Sequence, residues 1–366
     1  MMHYLEYLDV DRLGLLPPEH WAAHEFCFRI HDQMAELFRQ YESSGVQHWM
    51  LDAFHKAVKE NPKAAKGLDF FTVLKGAELK GPYKHHLVSH LLLALTSDML
   101  HFLYEALTCF EKRKFSVGFS LLRKPLKENL LFLAWILGDT DDFIARFEAN
   151  NSKTLGGTFE NQRLEIFAKA ISKLPTNEAF SADLMHDLIF SKTNPNGFEP
   201  VWQRATHLVT SQGTLLKTED YELNFVFLDP SSDALYSLLY KNLPFALIFT
   251  MQVVLESFSM ILKANERTVS HLMLTTMGCY ESIFLKGNQR ISALLNKSFK
   301  PFLKCVHCDT PFRINKRNAP GIYLHERVIC TSCDLSSDFP LYWLWAQGNV
   351  KIKRDEPIAP FLDFDN

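Results

Sequence analysis

The sequence predicts a mainly α-helical fold: a helical bundle over residues 1–299, a small C-terminal β ribbon over 300–346, and a Pro- and Asp-containing tail over 347–366. Three observations predict it. Apolar residues recur at three- and four-residue spacing through most of the first 299 positions, the period of helices that bury one face. Four of the seven cysteines form two Cys-x-x-Cys pairs near the C-terminal end. The 366 residues are 47% hydrophobic, 13% aromatic and 22% charged, the composition of a folded globular chain, which excludes disordered, collagen-like and disulfide-scaffold proteins.

The elements follow in order. Between Glu19 and Tyr41, residues Phe26, Ile30, Met34, Leu37 and Tyr41 share one face, with Arg29, Asp32, Glu36 and Arg39 largely outside it, and Pro17-Pro18 opens the helix. A second helix runs from Val46 to Glu60 and stops before Asn61-Pro62, since a residue preceding proline avoids helical geometry. Pro82 opens a long helix to about Lys112, and Ser116 to Leu137 forms the other arm of a helical hairpin. Pro125 lies inside that arm, removes one backbone hydrogen bond and predicts a kink beside Arg123. Gly138 ends the arm, and Asp139 or Thr140 caps the next helix. Helices are expected over 158–174, 176–190 and 199–211, with 192–197 as a loop. The Thr, Tyr, Phe and Val content of 213–228 permits a short hairpin or an irregular crossing. A helical region begins at Asp229-Pro230-Ser231 and is interrupted at Pro244, and helices over 267–285 and 289–299 complete the bundle.

Met1 to Arg12 alternates apolar residues with Glu6, Asp9 and Asp11, unlike a secretory signal. The most apolar stretches, Asn129 to Gly138 and Leu243 to Leu255, are shorter than the ~20 residues that cross a bilayer, so no transmembrane helix and no membrane partner are expected. Cys27, Cys109 and Cys279 lie singly in apolar helical patterns and read as small core residues, and the cysteine usage as a whole is that of the reducing cytoplasm. With 39 basic and 42 acidic residues the chain has a net charge of −3, so an anionic partner must be met by a local patch.

The strongest chemical signal is Cys305-Val306-His307-Cys308 followed, 21 residues later, by Cys330-Thr331-Ser332-Cys333. Each pair puts two sulfurs on one tight turn whose amides support thiolates, and two such turns complete a tetrahedron around zinc. A redox dithiol needs only one pair and a βαβ setting. The reading is a structural zinc ligated by Cys305, Cys308, Cys330 and Cys333, with residues 310–329 forming strands around a turn at Asn315 to Gly321. From Arg290 to Cys333 there are eight basic residues against two acidic ones. Arg313, Lys316 and Arg317, near the expected turn, are the candidate nucleic-acid-binding residues, since Lys and Arg there can meet phosphates. The run Phe339 to Trp345 reads as packing that fixes the ribbon to the bundle, with base stacking as the functional alternative. His20 with His24, and His86 with His90, stand one helical turn apart and read as core or surface histidines.

One further pattern has a family likeness. The long apolar helix, the basic turn Lys112-Arg113-Lys114 and then Phe119 to Glu128 resemble the core hairpin of HEPN-like helical proteins of bacterial toxin and phage-defence systems, over about residues 80–265. Trp202 to His207 is similar to the helix that presents a histidine to that hairpin. The resemblance implies a helical bundle, a homodimer and an RNase in which Arg123, Glu128 and His207 are the catalytic candidates. The chain departs from the family in having no arginine with a histidine at the family's spacing, since Arg267 and His271 are separated by only three residues. Two functions are therefore expected: a non-catalytic zinc-ribbon protein that binds nucleic acid or a protein partner, or a HEPN-like RNase or nucleotide-directed effector of antiviral defence.

Overall fold

The structure, a computed structural model, describes residues 4–60, 62, 70–76, 80–149, 161–211, 217–218, 223–224, 233–262, 265–287, 289–348, 352, 358 and 360–361. It is mainly helical, as expected. After a single helical turn at Val10–Leu13, the helices among the described residues are α1 (Trp21–Ser43), α2 (Val46–Glu60), α3 (Phe70–Gly76), α4 (Lys80–Glu111), α5 (Phe115–Lys124), α6 (Leu130–Gly138), α7 (Thr140–Glu148), α8 (Arg163–Lys173), α9 (Ala182–Phe190), α10 (Phe198–Thr206), α11 (Ala234–Ser259), α12 (Glu266–Phe284), α13 (Arg290–Ser298), α14 (Ala319–His325) and α15 (Leu341–Ala346). The strands β1 (Arg327–Ile329) and β2 (Ser336–Asp338) pair antiparallel, with Val328 opposite Ser337. The hairpin considered for 213–228 falls mostly outside the described residues.

Helix α11 runs through the middle of the bundle against α1 and α6. Pro244, expected to interrupt it, sits inside it instead. The proline leaves the Tyr240 carbonyl without its helical donor, a penalty of about 3 kcal/mol. Burial of Leu243, Leu247, Phe249, Met251, Val253 and Val254 outweighs it. Among the described residues two helices, α4 with 32 residues and α11 with 26, are long and apolar enough to cross a membrane, which the uninterrupted apolar stretches did not suggest. In α11, 78% of the apolar window is buried inside the protein, as in a core helix.

At Pro125 the hairpin arm neither stops nor stays regular. It widens into a π-helical turn, Pro125–Asn129, in which the Leu130 N–H reaches back to the Pro125 carbonyl. Side chains fill the wider turn: Asn129 Nδ2 donates to the Leu95 carbonyl at 2.9 Å and to Asp98 at 2.8 Å. Lys127 makes a buried ion pair with Glu199 of α10 at 2.6 Å. After Gly138 the cap is Asp139, whose carboxylate accepts the Asp142 N–H. The helix expected from Thr176 begins at Ala182, because Ser181 supplies the cap by accepting the Leu184 N–H.

Two buried networks tie polar groups together inside the bundle. His24, fully buried, has Nδ1 2.6 Å from the Tyr240 hydroxyl and Nε2 3.2 Å from Glu111, and Arg12 closes the network on Glu111 at 2.5 Å. Burial holds the His24 imidazole neutral by lowering its pKa, so Nδ1 accepts from Tyr240 and Nε2–H donates to the carboxylate. This is the core-satisfied histidine the sequence suggested. Glu25 accepts N–H groups from Leu5, Tyr7 and Leu8, and thereby folds the N-terminal segment onto α1.

The ribbon shares the bundle's hydrophobic core. Ile322, Tyr323, Phe339, Leu341 and Leu344 are buried in the same cluster as α1, α11 and α12. Residues 310–329, expected as strands, contain helix α14. Ala319, Ile322 and Tyr323 have helical spacing, Pro320 stands in the first turn, and Asn315 accepts the Arg317 and Asn318 N–H groups ahead of it. Helix α14 packs on α12, where Tyr323 lies over Gly278. Arg29 of α1 donates to the Tyr323 carbonyl at 3.2 Å and to the Leu324 carbonyl at 3.5 Å, satisfying the open end of α14.

Gly278→Ala places a Cβ 2.5 Å from the Tyr323 ring. It is expected to destabilise the protein by roughly 1–3 kcal/mol in denaturant unfolding. Unchanged stability would mean that α12 and α14 do not meet as described. A second expectation concerns acid. Burial, aided by His86, lowers the His85 pKa from 6.5 to about 4, so the unfolded chain binds a proton there that the folded chain refuses. Stability is complete above pH ~6.5 and falls toward pH ~4, by up to about 3 kcal/mol for this group. His85→Gln should flatten that part of the profile in urea titrations; parallel profiles would contradict it.

Candidate metal centre and the cationic groove beside it

Two turns of the same construction bring the cysteines together. Cys305 N–H donates to the Thr310 carbonyl and Asp309 N–H to the Cys305 carbonyl, both at 3.0 Å. Cys330 N–H to Leu335 and Asp334 N–H to Cys330 repeat the pattern at 3.0 Å. In each turn the N–H two residues after the first cysteine points at its sulfur, His307 to Cys305 at 3.4 Å and Ser332 to Cys330 at 3.3 Å. Such donors favour thiolate over thiol. The chain then reverses through a left-handed residue, Asp309 with φ 55° and Asp334 with φ 56°, and aspartate is among the few side chains that tolerate this. The first turn rides on a bridge between Lys304 and Pro311, the second on β1 and β2.

The four Sγ atoms lie within 4.8 Å of one another. Cys305 and Cys333 are 3.8 Å apart, Cys308 and Cys330 3.7 Å. A tetrahedron of sulfurs on arms of about 2.3 Å has edges of about 3.8 Å, so the cluster fits a single metal ion. The cysteines are free thiols, and all four positions come from protein, the arrangement of a structural site. Hydrogen bonds from the Thr310 hydroxyl and backbone lower the Cys308 pKa to about 6. Cys333 has the Leu335 N–H on its sulfur, yet burial and the three neighbouring sulfurs push its thiol up to about 12. Like charges this close cannot all form without a cation between them, and a dication removes the conflict. His307 is exposed and His325 Nε2 is 2.5 Å from the Leu5 carbonyl, so neither histidine takes part. Cys27, Cys109 and Cys279 keep protonated thiols, their pKa values raised by burial.

Beside the centre, α13 and the chain over 311–314 enclose a groove of about 820 Å³. Among the described residues its charged lining residues are Lys297, Lys300 and Arg313, and none of its lining residues carries a carboxylate. Asn296 holds the wall in place, donating to the Ile314 carbonyl at 2.7 Å and accepting the Ile314 N–H at 2.8 Å. The cluster read from the sequence therefore divides. Arg313 lines the groove, Lys316 donates to the Leu285 carbonyl at 3.1 Å, and Arg317 is exposed on the loop. A second cleft, about 500 Å³ between α1, α11 and α12, is apolar with Asp32 and Glu36 among its lining residues, the wrong sign for phosphate.

Arg123, just before the π-helical turn, and Glu128, within it, form a partly exposed ion pair at 3.4 Å. His207 is exposed just beyond the end of α10, where its N–H donates to Gln203 and its carbonyl accepts from Asn224. Among the described residues no hydrogen bond or ion pair joins His207 to Arg123 or Glu128. Sequence reasoning counted Lys297 and Lys300 among the basic residues of this region and did not single them out as site residues; the signal was their three-residue spacing at the end of α13. It also missed Asp309 and Asp334; the signal was an aspartate directly after each pair's second cysteine. Comparison with known protein families, curated proteins and solved structures finds no match for this chain.

Cys305→Ser removes one arm of the tetrahedron. The variant is expected to lose its metal in elemental analysis and to lower the thermal midpoint. Its ribbon should come away from the bundle, red-shifting the emission of Trp345, which is 9% exposed in the folded protein. Full metal content in this variant would contradict the assignment of ligands.

Proposed function

We propose that the chain is a zinc-ribbon protein that binds nucleic acid through its phosphate backbone. Zinc is the ion that an all-sulfur tetrahedron with no open position suits best; iron in the same geometry would colour the protein and appear in elemental analysis. The zinc and four thiolates together carry a charge of about −2, which the eight basic residues between Arg290 and Cys333 exceed. The ion's role in this reading is to hold the wall that carries Arg313 opposite α13.

The observation that carries the proposal is the lining of the groove. Lys297, Lys300 and Arg313 meet across a concave surface without a carboxylate, on a chain whose overall charge is −3. Cations gathered this way against the net charge attract phosphates locally, and their binding releases counterions. Lys and Arg on a groove wall position a backbone without reading bases, so the reading is affinity for nucleic acid with little sequence preference.

The experiment is fluorescence anisotropy with a labelled oligonucleotide of mixed sequence. The combined variant Lys297→Glu, Lys300→Glu, Arg313→Glu should retain its zinc and lose binding by about 100-fold or more near 0.1 M salt. Its slope of log affinity against log salt should flatten by roughly 2–3. Native-like binding by this variant, or no binding by the unaltered protein, would sink the proposal.

A further inference from the structure

Building on the phosphate-binding reading, we infer that the groove and the aromatic surface next to it take single-stranded nucleic acid, with an unpaired base on Trp343. The aromatic run divides as it folds. Leu341, Leu344 and Trp345 turn inward, and Trp345 meets Phe299 edge-to-face at 5.7 Å. Tyr342 and Trp343 turn outward and are 62% and 43% exposed. Fixing the ribbon to the bundle accounts for the first group and not for the second.

Trp343 is held rather than loose. Phe302 meets its ring at 5.9 Å and 89°, and Phe339 at 6.1 Å and 80°. A ring gripped edge-on by two others has already lost its rotamer freedom, so a base landing on it incurs little further ordering. The same aromatic chain leads into the groove: Phe339 touches Phe312 at 5.2 Å and 78°, and Phe312 lines the groove with Arg313. On the other side Phe302 closes the short turn that begins with Lys300, also a lining residue. Cations that track a backbone therefore adjoin an exposed ring that accepts a base face. Any base can stack on such a platform, while duplex DNA or RNA hides its base faces inside its own stack.

The test compares a single strand of about 15 nucleotides with the duplex of the same sequence, using anisotropy and the zinc-loaded full chain. The unaltered protein should favour the single strand by about tenfold or more. Trp343→Ala should lose roughly 5- to 100-fold on the single strand and change little on the duplex. Trp343→Phe, which keeps a ring against Phe302 and Phe339, should retain most of the preference and guards against a variant that merely misfolds. The single strand should also quench a part of the tryptophan emission that is missing in Trp343→Phe. Equal losses on both probes, or none on either, would overturn this inference while leaving phosphate binding standing, provided the triple charge variant still fails to bind. Failure of the unaltered protein to bind either probe would overturn both, and would be the result expected if Tyr342 and Trp343 anchor a protein partner instead.

Discussion

Four sulfurs within 4.8 Å of one another impose the constraint on which the C-terminal ribbon depends. As bare thiolates they repel, and the lowered Cys308 beside the raised Cys333 records that conflict. An ion between them would resolve it and so supply cohesion that fewer than fifty residues cannot obtain from burial alone. The buried apolar side chains of the ribbon pack on the bundle: Tyr323 over Gly278, Leu341 and Leu344 in the common core. The ribbon is consequently a rigid extension of the helices, and the wall carrying Arg313 keeps a fixed distance from α13.

The periodic parts of this fold were legible in the sequence. Helix α2 has the expected ends because Gly45 and Pro62 punctuate it, and α1 buries the face its spacing described. The metal ligands were legible because their chemistry lies in residue type and spacing. The errors share one cause, tertiary packing overriding a local rule. Pro244 breaks an isolated helix, but in α11 the surrounding burial exceeds its penalty. Residues 319–325 lie where ribbons commonly have strand, but Tyr323 needs Gly278 beneath it and Arg29 at its carbonyl, and neither is visible within that segment. The groove was illegible for the same reason, since Lys297 and Arg313 come from different elements that only the assembled core sets opposite each other. Trp343 and Trp345 are two positions apart on a short helix and point to opposite environments, which composition cannot report.

Charge placement matters more here than charge total. A chain at −3 presents a groove lined by Lys297, Lys300 and Arg313 on one flank and a cleft bordered by Asp32 and Glu36 on another, so its surface is polarised although its net charge is near zero. Partners of opposite sign would meet different faces of the same molecule.

The N-terminal segment has its own bearing on how the protein is made. Leu5 faces His325 and Glu6 pairs with Arg327 at 2.7 Å, while Arg29 waits for carbonyls of Tyr323 and Leu324. The Leu5–His325 contact spans 320 positions of chain, so this flank closes only after the helices between have been synthesised, an interval on the order of tens of seconds at ordinary translation rates. The nascent bundle must hold that flank open meanwhile, until residues 323–327 arrive to seal it.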